Sequence, residues 1–348
     1  MRISLAGGGT DLPAYYREYG GAVINTAIDR YFYVFLRTLK SKGLEIASAD
    51  FSTFFRHNGD NPLNWDGDLE LPRAIFHHFG ISRGIRLFIA SEIPSGTGLG
   101  SSSTVAVGLI KALSTACGLN WTPHEIAELA CFVEIQKLGS PIGKQDQYAA
   151  AFGSLNLIEF EANRTQVTPL NISPQNQQML AKSLLLFYTG HSRNANEILI
   201  KQSEASRLRK SGTTEALHCV KEMVPFVKNA LEAGDIREFG RFLHMNWVEK
   251  QRFASGVTNP FINDCYAAAQ RAGAYGGKIA GAGGGGFLMI CCNQPDCDRI
   301  TAALEEKGLV RVGFNFDELG ARVVMNSGLL LTSRFNWEIP KELLAGVA

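Results

Sequence analysis

The feature that most constrains this chain is the run Pro94-Ser95-Gly96-Thr97-Gly98-Leu99-Gly100-Ser101-Ser102-Ser103, which passes without a break into an apolar stretch from Thr104 to Cys117. Alternating glycines let the backbone approach an anion closely, and a run of serines suits the opening of a helix. The first N–H groups of a helix have no partner within it, and the helix dipole places about half a positive charge there. The stretch therefore reads as a cradle for a triphosphate, with Pro94, Gly96, Gly98, Leu99, Gly100, Ser101, Ser102 and Ser103 as its candidate residues. Val105, Leu109, Ala112, Leu113 and Ala116 share one helix face, and Gly118 ends the helix. The Walker A pattern does not apply, because the loop has no lysine. A glycine-rich loop that merely joins a strand to a helix is the competing reading, and the stretches below weigh against it.

With 348 residues and 45% hydrophobic content the chain can bury a large core, and its length suggests two domains, divided here as 1–182 and 183–348. A net charge of +1 offers no footprint for nucleic acid or acidic membranes. No apolar run reaches the roughly 18 residues of a membrane span, and the N-terminus lacks the basic-then-apolar form of a signal peptide. Seven cysteines are scattered, only Cys291, Cys292 and Cys297 cluster, and none has zinc-ligand spacing. Free or buried thiols in a reducing cytoplasm are expected.

Met1 to Ala6 reads as a strand that runs into Gly7-Gly8-Gly9-Thr10-Asp11. Three glycines allow a tight turn with nothing projecting, so Asp11 can face a cavity beside bare backbone and accept from a sugar hydroxyl; the alternative is an Asp that caps the helix starting near Pro13. Ala22 to Thr38 reads as one long β-rich stretch, with Tyr31, Tyr33 and Phe35 alternating into the core. The pattern weakens from Lys40 to Asn64, a helix is expected over Pro72–Phe79, and Gly84–Ala90 is a strand leading to the cradle. A strand, a glycine-rich loop and a helix in succession put that cradle at the end of a sheet.

A second chemical stretch runs from Thr122 to Phe152. Thr122-Pro123 with Glu125 opens a helix, Glu134 lies near its end, and Gly139-Ser140-Pro141 breaks it before Gly143-Lys144-Gln145-Asp146-Gln147. One carboxylate on a helix and another past a turn can face a cleft from two sides. Phosphoryl transfer needs phosphates held in line, Mg²⁺ on the outer phosphates and a base at the attacking hydroxyl. A cradle serine with Glu134 would suffice for Mg²⁺, and Asp146 would take the proton, worth roughly 10²–10⁴ in rate. Lys144 or Arg2 would keep that carboxylate ionised. Taken singly, Glu134 is equally an exposed helix acid and Asp146 a helix cap.

Ser183–Gly190 is an apolar strand, and His191-Ser192-Arg193-Asn194 opens a helix from Ala195 to about Lys210. Arg193 suits a phosphate already carried by the substrate, with an exposed arginine as the alternative. Helices are expected at about Thr214–Ala233, Asp235–Phe253 and Asn259–Ala272, the second with a capping box at Asp235 and Glu238 and a core stripe of Ile236, Phe239, Leu243 and Trp247. His244 and Lys250 could reach the cleft, which spacing alone does not decide. Lys278 to Gly286 joins a cation to a glycine run between two strands, and strand after the glycines excludes a dinucleotide fingerprint. A loop closing over substrate or phosphates fits, with Lys278, Gly283 and Gly284 as candidates. A helix at Pro295–Lys307 and short strands at Val310–Gly313 and Ala321–Val324 complete an α+β second domain.

Three separated stretches resemble the motifs of the superfamily that includes galactokinase, homoserine kinase, mevalonate kinase and phosphomevalonate kinase: Arg2 to Asp11, Pro94 to Ser103, and Lys278-Ile279-Ala280-Gly281-Ala282-Gly283-Gly284-Gly285-Gly286-Phe287. Within it, Ala6-Gly7-Gly8-Gly9-Thr10-Asp11 and Pro141-Ile142-Gly143-Lys144-Gln145-Asp146-Gln147-Tyr148 are most similar to D-glycero-D-manno-heptose 7-phosphate kinases. The similarity extends through Phe187-Tyr188-Thr189-Gly190 and His244-Met245-Asn246-Trp247. The resemblance implies a two-domain α+β fold with ATP and a sugar phosphate between the domains. It implies Ser102 and Glu134 as Mg²⁺ ligands, Asp146 as catalytic aspartate, Arg2 beside the transferring phosphoryl, and Gly8, Gly9, Thr10 and Asp11 on the sugar. Galactokinases have Glu-His where this chain has Gly8-Gly9, which argues against galactose. Arg2 follows Met1 directly, where the family has several residues of strand. The implied reaction is phosphorylation of the anomeric hydroxyl of the heptose 7-phosphate to the 1,7-bisphosphate, for the nucleotide-activated heptose of bacterial surface polysaccharide. A kinase of fucose, mannose or galactose and a non-catalytic sugar and ATP sensor are the alternatives, and a homodimer is left open.

Overall fold

The structure, a computed structural model, describes residues 1–40, 43–49, 52–190, 195–208 and 211–331. Its strands form three four-stranded sheets among the described residues. The first is antiparallel throughout, in the order β1 (Arg2–Ala6), β2 (Gly21–Ala27), β7 (Leu155–Phe160) and β8 (Thr165–Pro169). The second runs β3 (Phe32–Thr38), β6 (Ile85–Ser91), β4 (Leu44–Ser48) and β5 (Thr53–His57), with β4 and β6 parallel. The third, from the C-terminal half, runs β10 (Ala274–Ile279), β11 (Phe287–Cys292), β9 (Leu184–Tyr188) and β12 (Val310–Arg311).

Three apolar cores hold these layers. In the first, Leu109 and Leu113 of α3 (Ser101–Ala116), Phe76 of α2 (Glu70–His78) and Leu129 of α4 (Pro123–Cys131) pack against Ile46, Leu87 and Ile89 of the second sheet and Ile158 of the first. The second joins the halves: Ile3, Leu5 and Ile24 meet Leu186 and Met289 of the third sheet and Leu243 of α10 (Ile236–Lys250). On its other face the third sheet offers Phe187, Leu288 and Ile290 to α11 (Pro260–Arg271) and α12 (Cys297–Glu305). Side chains of a strand alternate between faces, so burial of both faces makes β9 and β11 apolar at every position.

Several sequence expectations change here. The stretch from Ala22 to Thr38 is broken between β2 and β3, which belong to different sheets. Tyr33 and Phe35 are 41% and 56% exposed rather than core. Their neighbours Phe32, Val34 and Leu36 face the first core, because strand alternation leaves two faces to choose from. The weakly patterned region after Lys40 holds the β4–β5 pairing. The helix expected over 214–233 is two, α8 (Ser211–Glu222) and α9 (Val224–Ala233), with Pro225 opening the second. No strand forms at 321–324. Asp235 accepts from the Glu238 N–H at 2.9 Å, but the Glu238 side chain pairs with Arg241, so only half of the capping box forms.

Candidate active site

α3 opens at Ser101, and the glycine run before it crosses the second glycine-rich segment backbone to backbone. A Cβ on Gly98, whose φ is +88°, would lie 2.6 Å from the Ala280 carbonyl oxygen. That approach is open only to glycine. Gly96, Gly98, Gly100, Ser101, Ser102 and Ser103 line a cavity of about 350 Å³. Pro94 and Leu99 do not. The Leu99 side chain is fully buried in the second core and its carbonyl accepts from the Arg2 N–H, while the Pro94 carbonyl accepts from the Thr97 hydroxyl, so both brace the loop from behind.

The acids line the same cavity. Helix α4 continues into a π-helical turn, Phe132–Lys137, a local widening that carries Glu134 inward to 1% exposure. Ser102 Oγ donates to Glu134 Oε1 at 2.7 Å and Gln147 Nε2 to Oε2 at 2.6 Å. Burial pushes the Glu134 carboxyl up to about 7 despite these bonds. Ser102 is itself exposed, so its hydroxyl lies open to the cavity in front of the carboxylate. A hydroxyl and a carboxylate are hard oxygen donors, and this pair fits Mg²⁺.

Asp146 stands in the first turn of α5 (Gln145–Phe152), against the cradle at Gly100. Buried Arg2 grips both of its oxygens, Nε to Oδ1 at 2.7 Å and Nη2 to Oδ2 at 2.8 Å, and gives Nη1 to the Gly98 carbonyl at 2.6 Å. One guanidinium thus ties β1, the glycine-rich loop before α3 and α5 together. Asp11 accepts from the Gly9 N–H at 3.0 Å, from the Gln145 N–H at 3.2 Å and from Gln145 Nε2 at 3.0 Å. It therefore sits at the start of α5 and does not cap the helix at Pro13 (α1, Pro13–Tyr19), where Leu12 holds the cap position without a side-chain bond. Burial, with the Asp146 charge adding to it, raises the Asp11 carboxyl above the ordinary range.

Three more expected site residues are placed elsewhere. Lys144 donates to both oxygens of Glu128, at 2.9 and 3.1 Å, and is no neighbour of Asp146. Two residues apart at a helix start, the side chains leave in nearly opposite directions. The Thr10 hydroxyl donates to the Gly7 carbonyl at 2.8 Å and receives the Ala22 N–H, which closes the turn behind the cavity. Gly284 gives its N–H to the Val257 carbonyl, whereas Gly283 lines the cavity. Arg193 lies outside the described residues. Gly8, Gly9 and Asp11 do line the cavity.

The opposite wall comes from the C-terminal half. Lys278 of β10 lines it, as does Lys250, whose Nζ donates to the carbonyls of Ile279 and Gly281 at 2.9 and 2.5 Å. Burial, with the charge of Arg2 nearby, brings Lys250 down to about 7. Burial and the charges of Lys250 and Arg2 bring Lys278 well below the ordinary lysine value. Asn246 of α10 and Gln202 of α7 (Ala195–Arg207) complete this wall. Sequence reading missed Asn246, Gln202, Gln145 and Gln147; the last two stood beside Asp146 in a polar cluster before an alanine run, and that cluster was a readable signal.

The GHMP kinases N terminal domain model matches residues 70–154, and the GHMP kinases C terminal model matches 227–309. A D-glycero-alpha-D-manno-heptose 7-phosphate kinase of Campylobacter jejuni is 32% identical, over 92% of this chain and 96% of that protein. The L-fucokinase/L-fucose-1-P guanylyltransferase of Bacteroides fragilis is 28% identical over 85% of this chain but 34% of its own length. The crystal structure of a D-glycero-D-manno-heptose 1-phosphate kinase from Bacteroides thetaiotaomicron superposes with a TM-score of 0.78 at 28% identity, over 93% of this chain and 98% of that one. No helix among the described residues is long and apolar enough to cross a membrane. With both domain models matched and a relative aligned along nearly its whole length, the chain belongs to the GHMP kinases and is an ATP-dependent phosphotransferase of that family.

Proposed function

We propose that this protein transfers the terminal phosphoryl of ATP to the anomeric hydroxyl of D-glycero-D-manno-heptose 7-phosphate, giving the 1,7-bisphosphate. The observation that carries the substrate is the full-length likeness to the heptose 7-phosphate kinase at 32% identity. Gly8 and Gly9 present bare backbone to the cavity beside Asp11, Gly8 under the Ser4 hydroxyl and Gly9 packed against Gln202 and Phe253. In this reading residues 1–182 hold the nucleotide, residues 183–348 close over the sugar, and the enzyme works in the cytoplasm.

The N–H groups at the start of α3 bind phosphate oxygens, with Ser101 and Ser103 beside them. Ser102 and Glu134 would hold Mg²⁺, which when bound neutralises charge on the outer phosphates. Asp11 accepts from a sugar hydroxyl, and Arg193, assigned from the sequence alone, would pair with the phosphate that the sugar already carries. Asp146, aligned by Arg2, takes the proton of the attacking hydroxyl. The new O–P bond forms as the bond from that phosphorus to ADP breaks, and Arg2 and Lys278 balance the charge in transit.

A heptose 1-phosphate is the second reading, favoured by the likeness to the heptose 1-phosphate kinase structure at 28% identity. Turnover with Mg-ATP against heptose 7-phosphate, heptose 1-phosphate, fucose, mannose, galactose and mevalonate, with the new phosphate located by phosphorus NMR, separates them. A new anomeric phosphate on heptose 7-phosphate is expected. Turnover confined to another member of the panel replaces the substrate and keeps the chemistry.

A further inference from the structure

Lys250 and Lys278 bring two amino groups into the cleft that no carboxylate among the described residues bonds. They are 8% and 3% exposed, and both line the cavity. The carboxylates of Asp11, Glu134 and Asp146 are already engaged, by backbone N–H groups and Gln145, by Ser102 and Gln147, and by Arg2. Lys250 has only the carbonyls of Ile279 and Gly281, which leaves one of its three donors free. Lys278 has no hydrogen bond or ion pair among the described residues. On the same cavity the carboxamide nitrogens of Asn246, one turn before Lys250 on α10, and of Gln202 on α7, next to Gly9, are buried without an acceptor. A buried ammonium is unfavourable without an anion; Asp11 acts on Lys250 only at a distance, its oxygens being held by Gly9 and Gln145, and no carboxylate among the described residues bonds either lysine.

We propose that Lys250 and Lys278, with Asn246 and Gln202 at its edge, form a subsite for a phosphate dianion that arrives with the ligand. This rests on the reading of the substrate as a sugar phosphate. The dianion is either the phosphate already on the sugar or the terminal phosphoryl of ATP. Burial and mutual repulsion lower both lysines in the free protein, so binding of a dianion recharges them and draws protons from solution.

The full-length protein is titrated calorimetrically, in buffers of different ionisation enthalpy, with heptose 7-phosphate, the unphosphorylated heptose, inorganic phosphate and a non-hydrolysable ATP analogue. Lys250→Met and Lys278→Met are titrated alongside. If the sugar's own phosphate occupies the subsite, wild type takes up protons with heptose 7-phosphate, and each variant loses that uptake together with at least about tenfold in affinity. Unphosphorylated heptose and the ATP analogue then stay within about twofold. The same loss moved to the ATP analogue assigns the subsite to the terminal phosphoryl. Wild type that takes up no protons with any phosphate-bearing ligand overturns the proposal without reference to how the variants fold. So do folded variants that bind every ligand as wild type does. Failure to turn over heptose 7-phosphate would sink the substrate reading alone, since inorganic phosphate and the ATP analogue still decide the subsite.

Discussion

On the wall built by the N-terminal half Arg2 and the three inward acids already have their partners: Arg2 holds Asp146 through two bonds, Asp11 receives three, and Glu134 receives Ser102 and Gln147. On the wall built by the C-terminal half Lys250 rests on two carbonyls and Lys278 on no hydrogen bond among the described residues. The first wall is arranged before any ligand arrives, as a group that must act on a developing charge needs to be. The second leaves its amino groups for a ligand to complete.

The sharpest way to break that contrast is Asp146→Asn, which keeps the shape and removes the proton acceptor. Turnover should fall by roughly 10²–10⁴ while the affinity for ATP changes little. A variant with wild-type turnover would remove Asp146 from the chemistry. Gly143→Ala attacks the same wall sterically, since its Cβ would lie 1.9 Å from Asp11 Oδ2 and 2.5 Å from its Cγ. We expect a loss of about 1–3 kcal/mol in stability and a raised KM for the sugar, read from thermal melts and initial rates. An unchanged melt and KM would mean that the start of α5 shifts freely and the wall is not rigid.

For the opposite wall the prediction concerns pH. Burial lowers Lys250 from 10.5 to about 7, so between those values the unfolded chain binds a proton there that the folded chain does not. Stability of the ligand-free protein therefore rises with pH across that window and loses this contribution toward its lower end, with a slope of up to about 1.4 kcal/mol per pH unit. Urea unfolding at several pH values, wild type against Lys250→Met, reads Lys250 together with its repulsion of Lys278, and both act in the same direction. A difference that stays constant with pH would show that Lys250 is charged in the empty cleft.

How much of this was legible in the sequence follows the same division. Glycine runs that bring two backbones together leave a mark at fixed spacing, and so did the acids of the first wall: Asp11, Glu134 and Asp146 could be picked out before any coordinates. Lys250, Asn246 and Gln202 lie on helix faces, where periodicity tells which residues share a face and is silent on what that face meets. The same limit misplaced Tyr33 and Phe35, since alternation along β3 fits either orientation of the strand. The Glu134 turn was invisible because a π-helical step has no side-chain period of its own to read.

Lys144 gives the smallest expected effect and the most direct test of that limit. Adjacency in sequence put its ammonium beside Asp146, whereas in the structure it bonds both oxygens of Glu128, with 18% and 20% of the two side chains exposed. Lys144→Met therefore removes a partly screened ion pair, and stability should fall by about 1 kcal/mol. Turnover should stay within about threefold of wild type, since no charge beside the transferring phosphoryl is lost. The two readouts move independently, which makes the pair informative. A folded Lys144→Met protein with turnover reduced as far as in Asp146→Asn would return Lys144 to the catalytic wall, and that wall would then hold a cation whose partner changes when substrate binds.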